Sequence, residues 1–111
     1  MSESPLEIVN QRMSHYNAHD LESFLDTYSA DVTIYTYPDK LLGKGIDHMK
    51  MLFEPMFESG DVRVEILSQL VSDSYVINEE IVTQSGEDTR YVSIYEVRND
   101  KIQSVRFVRD Y

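Results

Sequence analysis

Hydrophobic positions along this chain shift to a sustained two-residue period near Asp61. Before it most recur every three to four residues. Leu6, Val9, Met13 and Tyr16, with Ile8 and Arg12 beside them, predict a first helix. Ser4 ahead of Glu7, with Pro5 between them, is a capping-box pattern for its start. Asp20 then reads as the N-cap of a short second helix with Leu21, Phe24, Leu25 and Tyr28 on one stripe. The β-branched and aromatic run VTIYTY, residues 32–37, predicts a strand, followed by a turn at Pro38-Asp39 and a short extended KLLGKG. Helical spacing returns through Ile46, Met49, Met51, Leu52, Met56 and Phe57, and Pro55 within that run is expected to end or kink the helix.

After Asp61 the alternation is period two. VRVEILSQLV, YVINEEIVTQ, TRYVSIYEVR and KIQSVRFVRDY are separated by short polar connections, which predicts an antiparallel meander. Helices first and strands afterwards make an α+β fold, with helices gathered on one face of a curved sheet. Alternation does not choose which face is inner. In YVINEEIVTQ either Val76, Asn78, Glu80 and Val82 or Tyr75, Ile77, Glu79, Ile81 and Thr83 point to the core.

Length and composition narrow the function classes. A chain of 111 residues suits one domain, residues 1–111, with one core. No apolar run approaches the roughly 20 residues of a membrane span, and the start lacks the charged and apolar regions of a secretory signal. A soluble, cytoplasmic protein with no membrane partner is expected. The absence of cysteine removes disulfides, thiolate nucleophiles and cysteine-ligated metals. A formal charge of −10 opposes a phosphate backbone, so no nucleic-acid partner is expected. His15, His19 and His48 lack metal-site spacing, so neither a metal nor a cofactor is expected, and His19 is expected to face solvent. Met49, Met51 and Met56 read as an adaptable core lining.

The segments YNAHDLESFLDTYSADVTIY, YPDKLLGKG before a helix, and YVSIYEVRNDKIQSVRFV, in that order, resemble the nuclear transport factor 2-like superfamily. More narrowly, the chain resembles the SnoaL-like and ketosteroid-isomerase-like branch over essentially its whole length. The resemblance implies a cone-shaped, cystatin-like fold: a bent, mostly antiparallel sheet around about three helices, with an apolar pocket open at one end. It also implies homodimers through the outer sheet face, and its register favours Val76, Asn78, Glu80 and Val82 as the inner set. Ketosteroid isomerase, in which the protein environment tunes two carboxyl groups apart, uses an Asp base with a Tyr and a protonated Asp as donors. Aligned through Asn17-Ala18-His19-Asp20-Leu21, those positions fall near Arg12, at Thr36 or Tyr37, and near Ser93. None of the three is retained.

Candidate site residues are therefore the polar and aromatic groups on expected inner faces. Glu80 and His48 are the candidates for proton transfer, Glu80 because a desolvated carboxylate can be poised as a base. A structural ion pair of Glu80 with Arg106 or Arg109 is the competing reading. Tyr16, Tyr35, Tyr37, Tyr91, Ser93, Tyr95 and Phe107, with Arg109 at the rim, are the candidates to hold a ligand. The first reading is a homodimeric domain that binds a small apolar or aromatic molecule. The alternatives are a cofactor-independent isomerase, cyclase or dehydratase, with Tyr37 or Tyr95 as oxyanion donor, and an interaction module using Val92, Ile94 and Val108 on the outer sheet face.

Overall fold

The first helix, α1 (Pro5–Asn17), starts as its pattern requires. The Glu7 amide donates to Ser4 Oγ at 3.2 Å and the Ser4 amide donates to Glu7 Oε1 at 3.1 Å. The structure, a computed structural model, describes residues 4–109. Ile8, Val9, Arg12, Met13 and Tyr16 form the buried stripe of α1.

The second helix, α2 (Leu21–Asp26), is capped by Asp20 but ends sooner than the apolar stripe suggested. Thr27 Oγ1 donates to the Phe24 carbonyl at 2.7 Å, which closes the last turn. Tyr28 then begins strand β1 (Tyr28–Thr36), paired there with Ile102. A long-range strand partner thus outcompetes one further helical turn. After β2 (Lys40–Lys44), helix α3 (Ile46–Ser59) runs through Pro55 to Gly60, whose φ of 74° suits a glycine at the helix end. Pro55 removes one backbone donor on the exposed side, while Met49 and Phe57 stay buried on the other and hold the helix together. Met51 is 67% exposed because it lies two residues from Met49, on nearly the opposite side of the helix. Only Met49 and Met56 of the expected methionine lining turn inward.

Strands β3 (Arg63–Ser72), β4 (Tyr75–Gln84), β5 (Glu87–Arg98) and β6 (Lys101–Arg109) form the meander, and β1 joins β6 in parallel. The six-stranded order is β2-β1-β6-β5-β4-β3. A bulge at Leu67 in β3 adds local bend and twist to the sheet edge. The inner face of β4 is Val76, Asn78, Glu80 and Val82. The outer face carries a row across every strand: Leu41, Tyr35, Arg106, Ile94, Ile77 and Leu70 are successive cross-strand partners. The result is an α+β fold in which a curved sheet wraps helices on its inner side.

The Asn17–Leu21 segment has structural work that its sequence pattern did not reveal. Asn17 Nδ2 donates to the Val64 carbonyl at 3.0 Å and the Val64 amide donates to Asn17 Oδ1 at 2.8 Å, so the side chain pairs like a piece of strand. His19, expected in solvent, is half-buried and its Nε2 donates to the Val62 carbonyl at 2.7 Å. These bonds fasten the end of α1 to the start of β3. Among the described residues no helix is long and apolar enough to cross a membrane.

Candidate functional site

Side chains from α1, α3, β4, β5 and β6 surround a cavity of about 270 Å³. Helical spacing puts Leu52, Phe53 and Met56 of α3 on one face of it. Strand alternation brings Glu80, Val82 and Gln84 of β4 to another. Tyr91 and Phe107 meet edge to face with ring centroids 6.0 Å apart, and Tyr16 comes from α1. The cavity is thus walled by four aromatic rings.

Its polar residues at depth are Arg12 and Glu80, exposed by only 4% and 2%. Glu80 Oε1 accepts from Ser93 Oγ at 3.1 Å, and Oε2 accepts from Asn78 Nδ2 at 3.1 Å and from the Tyr95 hydroxyl at 3.0 Å. All three donors are buried, so the carboxylate is held by hydrogen bonds that replace its lost hydration. Arg12 Nε donates to the Tyr28 hydroxyl at 2.8 Å and Nη1 contacts Met13 Sδ at 3.3 Å. Its guanidinium carbon lies 5.0 to 6.0 Å from the ring centroids of Tyr16, Phe24, Phe53 and Tyr95, within cation–π range. Tyr95 links the two charges, with its ring beside the guanidinium and its hydroxyl on Glu80.

Burial alone would lower the Arg12 pKa, but the oxygens of Tyr28 and Tyr95 and the Glu80 carboxylate outweigh it, and the net shift is upward. The guanidinium stays charged. Burial pushes the Tyr16 hydroxyl up to about 12 against the opposing pull of Arg12, and it holds Tyr95 well above its ordinary value. Near neutral pH both phenols are hydrogen-bond donors.

Of the residues singled out from sequence, Glu80, Tyr16, Tyr91 and Phe107 meet at the cavity. Ser93 and Tyr95 stand behind Glu80 and position it. Of the two expected ion-pair partners of Glu80, Arg106 is found elsewhere. Arg106 lies on the outer face with its guanidinium 4.3 Å from the Tyr35 ring centroid and its Nε donating to the Pro38 carbonyl. The Arg109 side chain falls outside the described residues. Tyr35 and Tyr37 are not in the cavity wall. Ile34 is buried on the inner face, so alternation turns Tyr35 outward, and Tyr37 is 56% exposed in the turn before β2. His48 is also absent from the wall. It is half-buried against Gly43 of β2, where a Cβ on that glycine would stand 2.1 Å from the imidazole.

Arg12, Leu52, Phe53, Met56, Val82 and Gln84 line the cavity without having been selected as site residues from the sequence. The signal for Arg12 was a cation inside an apolar stripe, with Ile8, Val9 and Tyr16 on the same side of α1.

No curated protein matches the chain. Among solved structures, an uncharacterized cystatin-fold protein from Novosphingobium aromaticivorans has a TM-score of 0.88 at 22% identity, covering 97% of this chain and 100% of its own. A candidate polyketide cyclase from Pseudomonas putida has a TM-score of 0.76 at 19% identity, covering 98% and 93%. A computationally designed 17-OHP binder has a TM-score of 0.82 at 18% identity, covering 98% and 93%. At these identities the likeness is one of fold. The SnoaL-like domain family matches residues 9–105, and the chain belongs to that family, within the nuclear transport factor 2-like superfamily.

Proposed function

We propose that this protein binds a small, largely apolar ring compound in the cavity between α1, α3 and the inner sheet face. The observation that carries this reading is a preformed hollow of about 270 Å³ with four aromatic walls. That volume falls just below the usual range of ligand sites, roughly 300–1,000 Å³, and suits a ligand no larger than a bicyclic molecule. A protein of the same fold designed to bind 17-OHP is consistent with ligand binding by this fold. Turnover of an isomerase or cyclase type has less support. Among the described residues Glu80 is the one carboxylate in the wall, and three donors already occupy it.

Isothermal titration with 2-ethylnaphthalene tests the reading. The wild type binds it, and Val82→Trp, which fills the cavity from β4, abolishes binding while circular dichroism stays unchanged. Undiminished binding to a folded Val82→Trp protein would sink the proposal.

A homodimer through the outer sheet face is a second reading. The row that crosses the sheet supports it, because Leu41 and Leu70 at its two ends are 55% and 61% exposed and Ile94 and Ile77 join them. Sedimentation equilibrium of wild type and Ile94→Glu decides it. A dimer that the substitution converts to monomer is expected, and a wild type that is monomeric throughout the accessible concentration range refutes it.

A further inference from the structure

Among the described residues, large apolar side chains stay exposed in two stretches of the chain, and only one of the two carries cations. On the β3–β4 hairpin they are Leu67, Leu70, Val71 and Tyr75, and residues 67–75 contain no basic residue. In residues 37–52 they are Tyr37, Leu41, Leu42, Met51 and Leu52, and that stretch also holds the exposed Lys40, Lys44 and Lys50, three of the chain's four lysines. The fold gathers this second set around the open end of the cavity. Leu52 lines the cavity and is still 43% exposed, so it marks the mouth together with the exposed Gln84. Tyr37 is tied to the same rim, because its amide donates to the carbonyl of the wall residue Phe107 at 3.0 Å. On α3, His48 and Leu52 lie four residues apart on one side of the helix, and His48 packs against Gly43, which brings Leu42 of β2 beside that side. Met51 stands next to Leu52 in solvent, with Lys50 before it.

Apolar tips with lysines beside them suit a lipid interface, where the tips enter between headgroups and the ammonium groups meet anionic phosphates. Among the described residues none of the three lysines makes an ion pair. Lys44 lies within the field of the exposed Asp31, whose carboxylate is already held by Ser29 and Gln103. The chain's charge of −10 opposes an anionic surface, but that field decays over about 8 Å at physiological salt, and the molecule is 27 Å across its shortest dimension. With the rim against the surface, three lysines against Asp39 and Asp47 set the local sign. We propose that the mouth rim of Tyr37, Leu42, Met51 and Leu52, with Lys40, Lys44 and Lys50, docks on an anionic lipid bilayer. On the cavity reading, on which this role rests, the docked mouth lets an apolar ring compound dissolved in lipid enter the cavity without crossing water. The contact is peripheral and needs no spanning segment; the sequence-based expectation of no membrane partner rested on the lack of one.

Flotation of the intact chain with large unilamellar vesicles, at neutral pH and without any cavity ligand, tests the surface. One set of vesicles is phosphatidylcholine alone, and the other is equal parts phosphatidylcholine and phosphatidylglycerol. The wild type partitions into the mixed vesicles at least about tenfold more tightly than into phosphatidylcholine, and high salt removes the difference. Each lysine near an anionic surface contributes about fivefold, so Lys40→Gln, Lys44→Gln and Lys50→Gln together lower partitioning into the mixed vesicles about a hundredfold. Leu42→Ser with Met51→Ser lowers it about tenfold, whereas Leu70→Ser on the cation-free hairpin leaves it within about twofold. All six positions are exposed, and circular dichroism checks that each variant is folded. A folded wild type that does not float with the mixed vesicles overturns the proposal. Equal partitioning into the two vesicle types, or partitioning unchanged by the lysine and Leu42/Met51 replacements, overturns it as well. Each of these failures leaves the cavity reading intact, because no cavity ligand is present; failure of 2-ethylnaphthalene to bind in the titration overturns the cavity reading and leaves the docking surface standing.

Discussion

Replacing Glu80 by Gln and Arg12 by Met, singly and together, measures how far the two buried charges depend on one another. Each is almost fully buried, and Tyr95 touches both. Glu80→Gln removes the carboxylate whose field helps keep the buried guanidinium charged, and leaving a buried charge uncompensated costs on the order of 3 kcal/mol. Arg12→Met leaves a buried carboxylate that keeps its three donors but loses its cation, at a similar cost of about 3 kcal/mol. The double variant has neither charge, and the amide at position 80 retains an acceptor oxygen for the donors around it. Its expected loss is about 4 kcal/mol, a coupling of about 2 kcal/mol between the sites. Against a total stability of roughly 5–15 kcal/mol these effects are large, and urea denaturation followed by circular dichroism at neutral pH resolves them. Single-variant losses that add to within about 0.5 kcal/mol in the double variant would show that Arg12 and Glu80 do not sense one another. The account of the two buried charges as mutually stabilising would then be wrong.

Three further outcomes follow from particular contacts. Tyr16 has a folded pKa of about 12 against an ordinary 10.0, so the unfolded chain loses that proton first; its contribution is fully present below pH 10 and lost as pH rises toward 12. Tyr16→Phe should flatten the alkaline fall in stability seen in urea melts, and an unchanged slope would place the phenol in water. Asn17→Ala removes both side-chain bonds to the Val64 backbone and should lower stability by about 2 kcal/mol in the same assay, whereas a loss under about 0.5 kcal/mol would deny the clamp. Tyr37→Ala, in an exposed turn, should leave 2-ethylnaphthalene affinity within about twofold of wild type, while Phe107→Ala should weaken it about tenfold; the reverse pattern would move the site to the β1–β2 turn.

The chain's own pattern determined the elements, because their causes are local. Ser4, Pro5 and Glu7 start α1 through bonds three residues apart, Asp20 caps α2 in the same way, and short polar connections set the hairpins of the meander. Where local pattern met a distant partner, the distant partner won. Tyr28 has helical spacing from Phe24 and Leu25, yet pairing with Ile102 puts it in a strand. The site divides along the same line. Glu80, Tyr16, Tyr91 and Phe107 were legible as polar or aromatic groups on plausible inner faces, and packing brought them together. Tyr35 and Tyr37 carried the same chemistry, but strand alternation has two equivalent phases; burial of Ile34 selected the one that turns Tyr35 outward, and Tyr37 falls beyond the strand in an exposed turn. Arg12 is the opposite case. Within one helical turn Arg12 meets only Met13 Sδ and the Tyr16 ring, neither of which carries a charge to balance it. Its partners, Tyr28, Tyr95 and Glu80, come from three strands distant in sequence, and only the folded sheet gathers enough acceptor and aromatic surface to keep that charge out of water.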